Sequence, residues 1–375
     1  MHGTAQQHCL VVEDLLMCSD TQHVGSGGKD WVPLRLVWAA PDKRSSSSSS
    51  SRQHGSHASG SSSGGGSSGG GGSDRAGEPN RPGLDPPVQP VRLPVVIFLH
   101  PTGANMSSEH HKQESYAAAG YLAAAIDCHH HGERCAAQDF FGGASRGVYN
   151  DALVRAWRTG PERPFLLDNV WDIVALLDYL ETRPDVDMAR IGITGTSLGG
   201  MHSWLAAVVD SRISVIAPTI GVQCFKWAVD HDRFQGRVSS IQPLFDAAAA
   251  DMQKRTVDAA VVQAVWRKLM PGLLDHYDAP MSLPSLAPRP LLIANGELDD
   301  RCPMEGLQEA LRLTQAEYER VIREQQPSLS EQELSTAVAG RFQLYVEKFS
   351  GHRETSGMNS AVRQFMDKHL LNAGL

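Results

Sequence analysis

From residue 93 onward, short apolar runs alternate with stretches whose apolar residues recur every three or four positions. Within the apolar stretch 93–99 the first strand is predicted at 95–99, and further strands at 121–127, 190–194, 215–219, 290–295 and 342–349. Between the second and third of these lies a clear helix. Val170, Ile173, Val174, Leu177 and Leu180 share one face, Asp168 is placed as its N-cap and Pro184 ends it. Such alternation predicts an α/β fold with a mostly parallel central sheet and helices on both faces. A further, edge strand is expected at 31–38 in the N-terminal segment 1–40, which is too short to fold alone.

Two stretches break the rhythm. Residues 45–73 are almost entirely Ser and Gly, and the chain stays rich in Pro, Gly and charge up to Pro94, so it lacks the apolar surface needed to order itself. A disordered insertion is expected over 41–92, ahead of a main domain spanning 93–375. Residues 222–287 are helical and aromatic, with Phe225, Trp227, Phe234 and Trp266, and read as a cap inserted after the sixth strand of the fold. Those aromatics suit either a pocket wall or the cap's own core.

Residues 191–201 read Ile-Gly-Ile-Thr-Gly-Thr-Ser-Leu-Gly-Gly-Met, and with a strand at 188–194 and a helix at 198–210 they place Ser197 at the apex of a strand-turn-helix. A turn this sharp drives its central residue toward positive φ and crowds the chain on both sides, so Gly195 and Gly199 stand where a Cβ would clash. The same Gly-x-Ser-x-Gly spacing at 60–64 and 65–69 lies inside the Ser/Gly tract and has neither strand nor helix around it. Ser197 is the candidate nucleophile.

A serine so placed needs a base, and the base needs a carboxylate to fix its tautomer. Asp299 follows a buried strand, three residues after Gly296 and four before Pro303. His352 follows the apolar 345–349 within Ser-Gly-His, ahead of a helix predicted at 359–371. Both sit just past the carboxyl ends of strands, where functional groups of open parallel sheets converge, and the order Ser197, Asp299, His352 is that of an α/β-hydrolase triad. Asp300 remains the alternative acid.

An oxyanion hole needs backbone N–H groups aimed at the developing charge. Leu198 supplies one candidate at the start of the elbow helix. The loop Leu99-His-Pro-Thr-Gly-Ala-Asn105 supplies the other; Pro101 has no N–H, so Thr102 leads and Gly103 is the reserve. His100 reads as structural. The run Asp127-Cys-His-His-His-Gly-Glu-Arg134 is not expected to hold a metal, because neighbouring side chains of an extended segment point to opposite faces. Glu133 and Arg134 are expected to tie down this loop, and no cofactor is called for.

Composition narrows the partners. A net charge of −8 with no basic run excludes a nucleic-acid surface, and 41% hydrophobic residues suffice for a large core. No apolar stretch reaches the length of a membrane span. The first thirty residues carry Glu13, Asp14 and Asp20 and no Arg, which speaks against a transit peptide, and the six scattered cysteines form no disulfide framework. A cytoplasmic setting is expected; nothing sets an oligomeric state.

The segments Gly195-Thr-Ser-Leu-Gly-Gly-Met-His202, Asp127, His131-Gly-Glu-Arg134, Gly296-Glu-Leu-Asp-Asp-Arg-Cys-Pro303 and Gly351-His352 together resemble the α/β-hydrolase superfamily. More narrowly, the chain is similar to the branch spanning dienelactone hydrolases, acetyl xylan esterases and the catalytic domains of prolyl oligopeptidases. It looks closest to uncharacterised plant-type members through residues 220–228 and 287–292 as well, and the resemblance covers 93–371. It implies Ser197 as nucleophile, Asp299 as orienting acid and His352 as base, acting on a small-molecule carboxylic ester through an acyl-enzyme. Peptidase, acyltransferase and catalytically silent receptor or scaffold are the alternatives; the blade repeats that gate prolyl oligopeptidases are missing from this sequence. Three departures stand out. His100-Pro101 replaces the usual His-Gly, His129 replaces a usual Arg, and dienelactone hydrolases proper use a Cys nucleophile.

Overall fold

The computed structural model describes residues 9–19, 30–40, 91–135, 143–160 and 162–372. The insertion expected at 41–92 lies outside these residues, apart from 91 and 92. Among the described residues eight strands form one sheet: β1 (Leu10–Ser19), β2 (Asp30–Ala39), β3 (Leu93–Leu99), β4 (Leu122–Ile126), β5 (Val186–Thr196), β6 (Val215–Thr219), β7 (Leu291–Gly296) and β8 (Phe342–Glu347). Their order is β1-β2-β4-β3-β5-β6-β7-β8. From β4 to β8 all neighbours are parallel, whereas β1 and β2 run antiparallel.

The central parallel strands β3 and β4 read as continuous apolar runs, as strands buried on both faces do. Along β3, Val95, Ile97 and Leu99 point into one apolar cluster and Val96 and Phe98 into another. The helices before the Ser197 turn are α1 (His110–Ala117), α2 (Gly143–Arg158) and α3 (Leu167–Glu181), and α4 (Leu198–Val209) follows it. After β6 come α5 (Phe225–Asp230), α6 (Gln235–Ser240), α7 (Gln242–Asp251), α8 (Ala259–Leu269) and α9 (Ala279–Ser282). The chain closes with α10 (Met304–Gln325), α11 (Glu331–Arg341) and α12 (Ser356–Met366). Among the described residues no helix is long and apolar enough to cross a membrane.

Three local expectations are corrected. Residues 1–40 supply two strands rather than one, and β1, not 31–38, takes the edge. The charges that interrupt β1's apolar run are matched within the fold: Asp14 lies opposite Arg35 and receives its Nε–H at 2.7 Å, and Glu13 receives Arg183 at 2.9 Å. Asp168 does not cap α3; Leu166 holds that position with φ +78°, and Asp168 instead accepts the Arg163 N–H at 2.7 Å, bracing the chain before the helix. The last helix begins at Ser356, three residues earlier than the pattern suggested, because Thr355 caps it.

The aromatics of 222–287 resolve toward the core. Trp266 has ring neighbours Phe165, Phe225 and Phe245 at 5.2–5.3 Å. With Phe234 they join the cluster that packs on the sheet, so this wall is continuous with the main core. Trp227 is half-buried and stacks on His231.

Candidate active site

β5 delivers Ser197 to a turn in which it adopts φ +56° and ψ −108°, a conformation costly for a residue with a Cβ. The fold holds it there: Ser197 N–H donates to Thr219 O at 2.9 Å, and Met201 N–H donates to Ser197 O at 2.9 Å. A Cβ on Gly199 would stand 2.1 Å from Leu99 O, and one on Gly195 would stand 2.6 Å from the Gly199 backbone. The two glycines therefore let β3, β5 and α4 close on one another.

The loops after β7 and β8 are laced together. Glu297 N–H donates to Glu347 O at 2.9 Å and Leu298 N–H to Ser350 O at 2.8 Å, while Gly296 leaves room for Gly351 O, 2.5 Å from where a Cβ would be. This lacing brings Asp299 beneath His352. The imidazole Nδ1 lies 2.9 and 2.8 Å from the two Asp299 oxygens, and its Nε2 lies 2.7 Å from Ser197 Oγ. A carboxylate only accepts, so Nδ1 carries the proton and Nε2 is free to accept from the serine hydroxyl. Asp299 Oδ1 also accepts from the N–H groups of Arg301 and Cys302 at 2.9 and 3.0 Å. Asp299 is buried; Asp300 is exposed and makes no bond to His352.

Burial pushes His352 below its ordinary value, Arg237 and Arg301 push the same way, and the Asp299 hydrogen bond only partly offsets them. The neutral imidazole is thus the form at neutral pH. Its loop is fixed from the far side as well: Glu354 accepts from Thr196 Oγ1 at 2.8 Å and from Lys112 Nζ at 2.7 Å, joining it to the end of β5 and to α1. A 530 Å³ cavity lined by Tyr116, Thr196, Glu354 and Arg363 lies on that side; its lining includes neither Ser197 nor His352.

Leu198 opens α4, where the first N–H groups have no intrahelical acceptor. The N–H groups of Leu198, Thr102 and Gly103 have no partner among the described residues. Gly103 adopts φ +83°, and the Thr102 carbonyl accepts from Arg146 at 3.4 Å. His100 is buried, with Nδ1 3.0 Å from Pro101 O and Nε2 accepting the Cys128 N–H at 3.1 Å, so it ties the loops after β3 and β4.

The three adjacent histidines go to three separate partners. His129 meets Asp172 at 3.0 Å, His130 meets Glu162 at 3.3 Å, and His131 Nδ1 donates to His129 O at 2.8 Å. Arg134 also reaches Asp172, at 2.5 Å, and so anchors this loop to α3. Among the described residues, the donors near enough to share an ion are Asp299, Cys302 and His352. They are engaged otherwise: the first and last bind each other, and the buried Cys302 thiol, pushed up by burial, lies 3.4 Å from Ile220 O.

Glu354, Tyr149 and Arg237 escaped the sequence reading. Each meets its neighbours only through the tertiary fold, and none sits in a spacing that marks it.

Residues 84–235, which include the Ser197 turn, match the family described as acetyl xylan esterase (AXE1). The Bacillus subtilis (strain 168) protein described as "Putative hydrolase YtaP" is 25% identical over 205 residues, 54% of this chain and 53% of its own. "Putative esterase YitV" of the same organism is 29% identical over 150 residues, 38% of this chain and 52% of its own. The chain thus spans about half the length of these curated relatives. Among solved structures, acetyl xylan esterase 1 from Thermoanaerobacterium sp. JW/SL YS485 superposes with a TM-score of 0.51 at 16% identity, covering 95% of this chain and 87% of that one, which shows the shared fold. By its sheet and these matches, the chain has the α/β-hydrolase fold and is similar over residues 84–235 to the acetyl xylan esterases.

Proposed function

We propose that the protein is a serine hydrolase of carboxylic esters. The observation that carries this reading is the unbroken chain from Ser197 Oγ through His352 to Asp299, set on a positive-φ turn at the start of a helix. His352 Nε2 takes the hydroxyl proton as Ser197 Oγ attacks the ester carbonyl, and Asp299 stabilises the imidazolium that forms. The tetrahedral oxygen is received by the N–H of Leu198 and by that of Thr102, with Gly103 beside it, none of which has another partner among the described residues. Collapse of this intermediate expels the alcohol, protonated by His352, and leaves an acyl-enzyme. Water, deprotonated by His352, then attacks the acyl carbon and releases the acid.

The family match and the esterase name of one relative favour a small or medium acyl group on a small-molecule ester over a peptide. Hydrolysis of p-nitrophenyl esters from acetyl to palmitoyl tests this. Turnover should favour the shorter chains, and Ser197→Ala should lose about three to six orders of magnitude in kcat while remaining folded. Near-wild-type turnover by that variant would overturn the assignment.

A further inference from the structure

Arg237, on α6, is 5% exposed and bonds to no carboxylate among the described residues. Its Nε donates to Gln223 Oε1 at 3.3 Å, and its Nη2 lies 4.0 Å from Cys302 Sγ. With the Gln223 amide turned, its oxygen takes both Nε and Nη2 at 3.2 Å and its nitrogen donates to Arg301 O at 2.7 Å. In either arrangement the partners are neutral and Nη1 has no acceptor among the described residues. A buried cation normally has a counter-charge or saturated hydrogen bonds, since its desolvation costs several kcal/mol. Other arginines here obey that rule: Arg134 meets Asp172, and Arg289 donates to the carbonyls of Ala207, Asp210 and Ile213.

The surroundings of Arg237 are also short of partners. Tyr149 is wholly buried and its hydroxyl has no partner among the described residues. Its ring lies 4.7 Å from that of His131, whose Nε2 likewise has no partner among the described residues and whose pKa burial pushes down to about 3. Tyr149, Asp299 and His352 all lie within electrostatic reach of the guanidinium. Asp299 makes no direct bond to it: the Asp299 oxygens accept from His352, Arg301 N–H and Cys302 N–H, and its charge acts on the guanidinium only from a distance.

We propose that Arg237, with Tyr149 within its electrostatic reach, forms a carboxylate-binding subsite for the ester that Ser197 attacks, so that the preferred substrate is an ester carrying a second, ionised carboxyl group. The subsite assignment deepens the esterase reading and rests on it. The guanidinium supplies charge and paired donors, the chemistry that suits a planar carboxylate, and the phenol supplies one more donor. A substrate carboxylate there would meet the compensation that the folded chain withholds.

The test compares shape-matched pairs by pH-stat: monomethyl succinate with methyl butyrate, which places the carboxylate on the acyl side, and 3-acetoxypropanoate with propyl acetate, which places it on the alcohol side. In at least one pair the anionic ester should have a kcat/KM about tenfold or more above its neutral partner. Arg237→Met should erase that preference, and Arg237→Lys should restore part of it. Hydrolysis of the neutral esters with no anionic preference in either pair, or a preference that survives in Arg237→Met, overturns the subsite and leaves the esterase reading intact. If no ester turns over and a fluorophosphonate fails to label Ser197, the esterase reading falls, and calorimetric binding of succinate decides the subsite alone. Binding by wild type that Arg237→Met loses supports it; no binding by wild type overturns it. Should Arg237→Met fail to fold, the wild-type preference and the Arg237→Lys variant carry the same decision.

Discussion

His352 is the residue whose surroundings translate most directly into behaviour. In the proposed mechanism it acts as a base only when neutral, so kcat/KM should rise as pH climbs through its pKa, and burial with help from Arg237 and Arg301 sets that pKa below the ordinary histidine value. For a neutral ester the acid limb of the profile should therefore have its midpoint below about 6.5; a midpoint at or above that value would contradict the environment described. Asp299 and Asp300 give a sharper comparison. Asp299→Asn puts an amide against His352 Nδ1 and should cost about 10⁴-fold in kcat, whereas Asp300→Asn alters only an exposed carboxylate and should stay within a few-fold of wild type. The opposite ranking would move the acid by one residue. Ser197 was legible because its turn enlists glycines two places away on either side, a local constraint. Arg237 was not, because its neighbours Gln223 and Cys302 are 14 and 65 positions distant and no local rule links them.

Between elements, the site depends on close approach and on one buried ion cluster. A methyl on Gly199 would collide with the Leu99 carbonyl, a backbone atom that cannot turn aside. Gly199→Ala should thus lower stability by about 3 kcal/mol or abolish folding, read as a fall in Tm; an unchanged Tm would show that β3 and α4 can part. Asp172 on α3 joins His129 and Arg134. Burial, the largest influence on its carboxyl, pushes it up, but His129 and Arg134 outweigh burial and hold it below its ordinary value. A depressed carboxyl stabilises the fold above its unfolded pKa and loses that contribution as pH falls through the folded one. Asp172→Asn should cost about 3 kcal/mol at pH 7 in denaturant unfolding, with the gap to wild type narrowing below about pH 4; a constant gap would mean that charge is not what Asp172 contributes. At this scale periodicity located β3 to β8, of which β3, β4, β6 and β7 are buried almost throughout and β8 only partly. It missed β1, whose Glu13 and Asp14 look like loop residues until Arg183 and Arg35 are brought alongside by the fold.

For the whole molecule, alternating strands and helices announce a parallel sheet, but neither the strand order nor the merging of the 225–286 helices with the main core can be read without tertiary contacts. The Ser/Gly composition of 45–73 carries a separate expectation. Loop closure grows costlier only slowly with length, so deleting those residues should leave Tm and ester turnover nearly unchanged, and a collapse of either would give the tract a structural part. In the proposed function this sheet presents Ser197 as a nucleophile to His352 and Asp299. Fluorophosphonate labelling of the full chain, with the modified peptide mapped by mass spectrometry, tests it most directly. Stoichiometric modification at Ser197, lost in His352→Ala, is the predicted result; folded protein that takes up no label, or takes it up at another residue, would contradict the account.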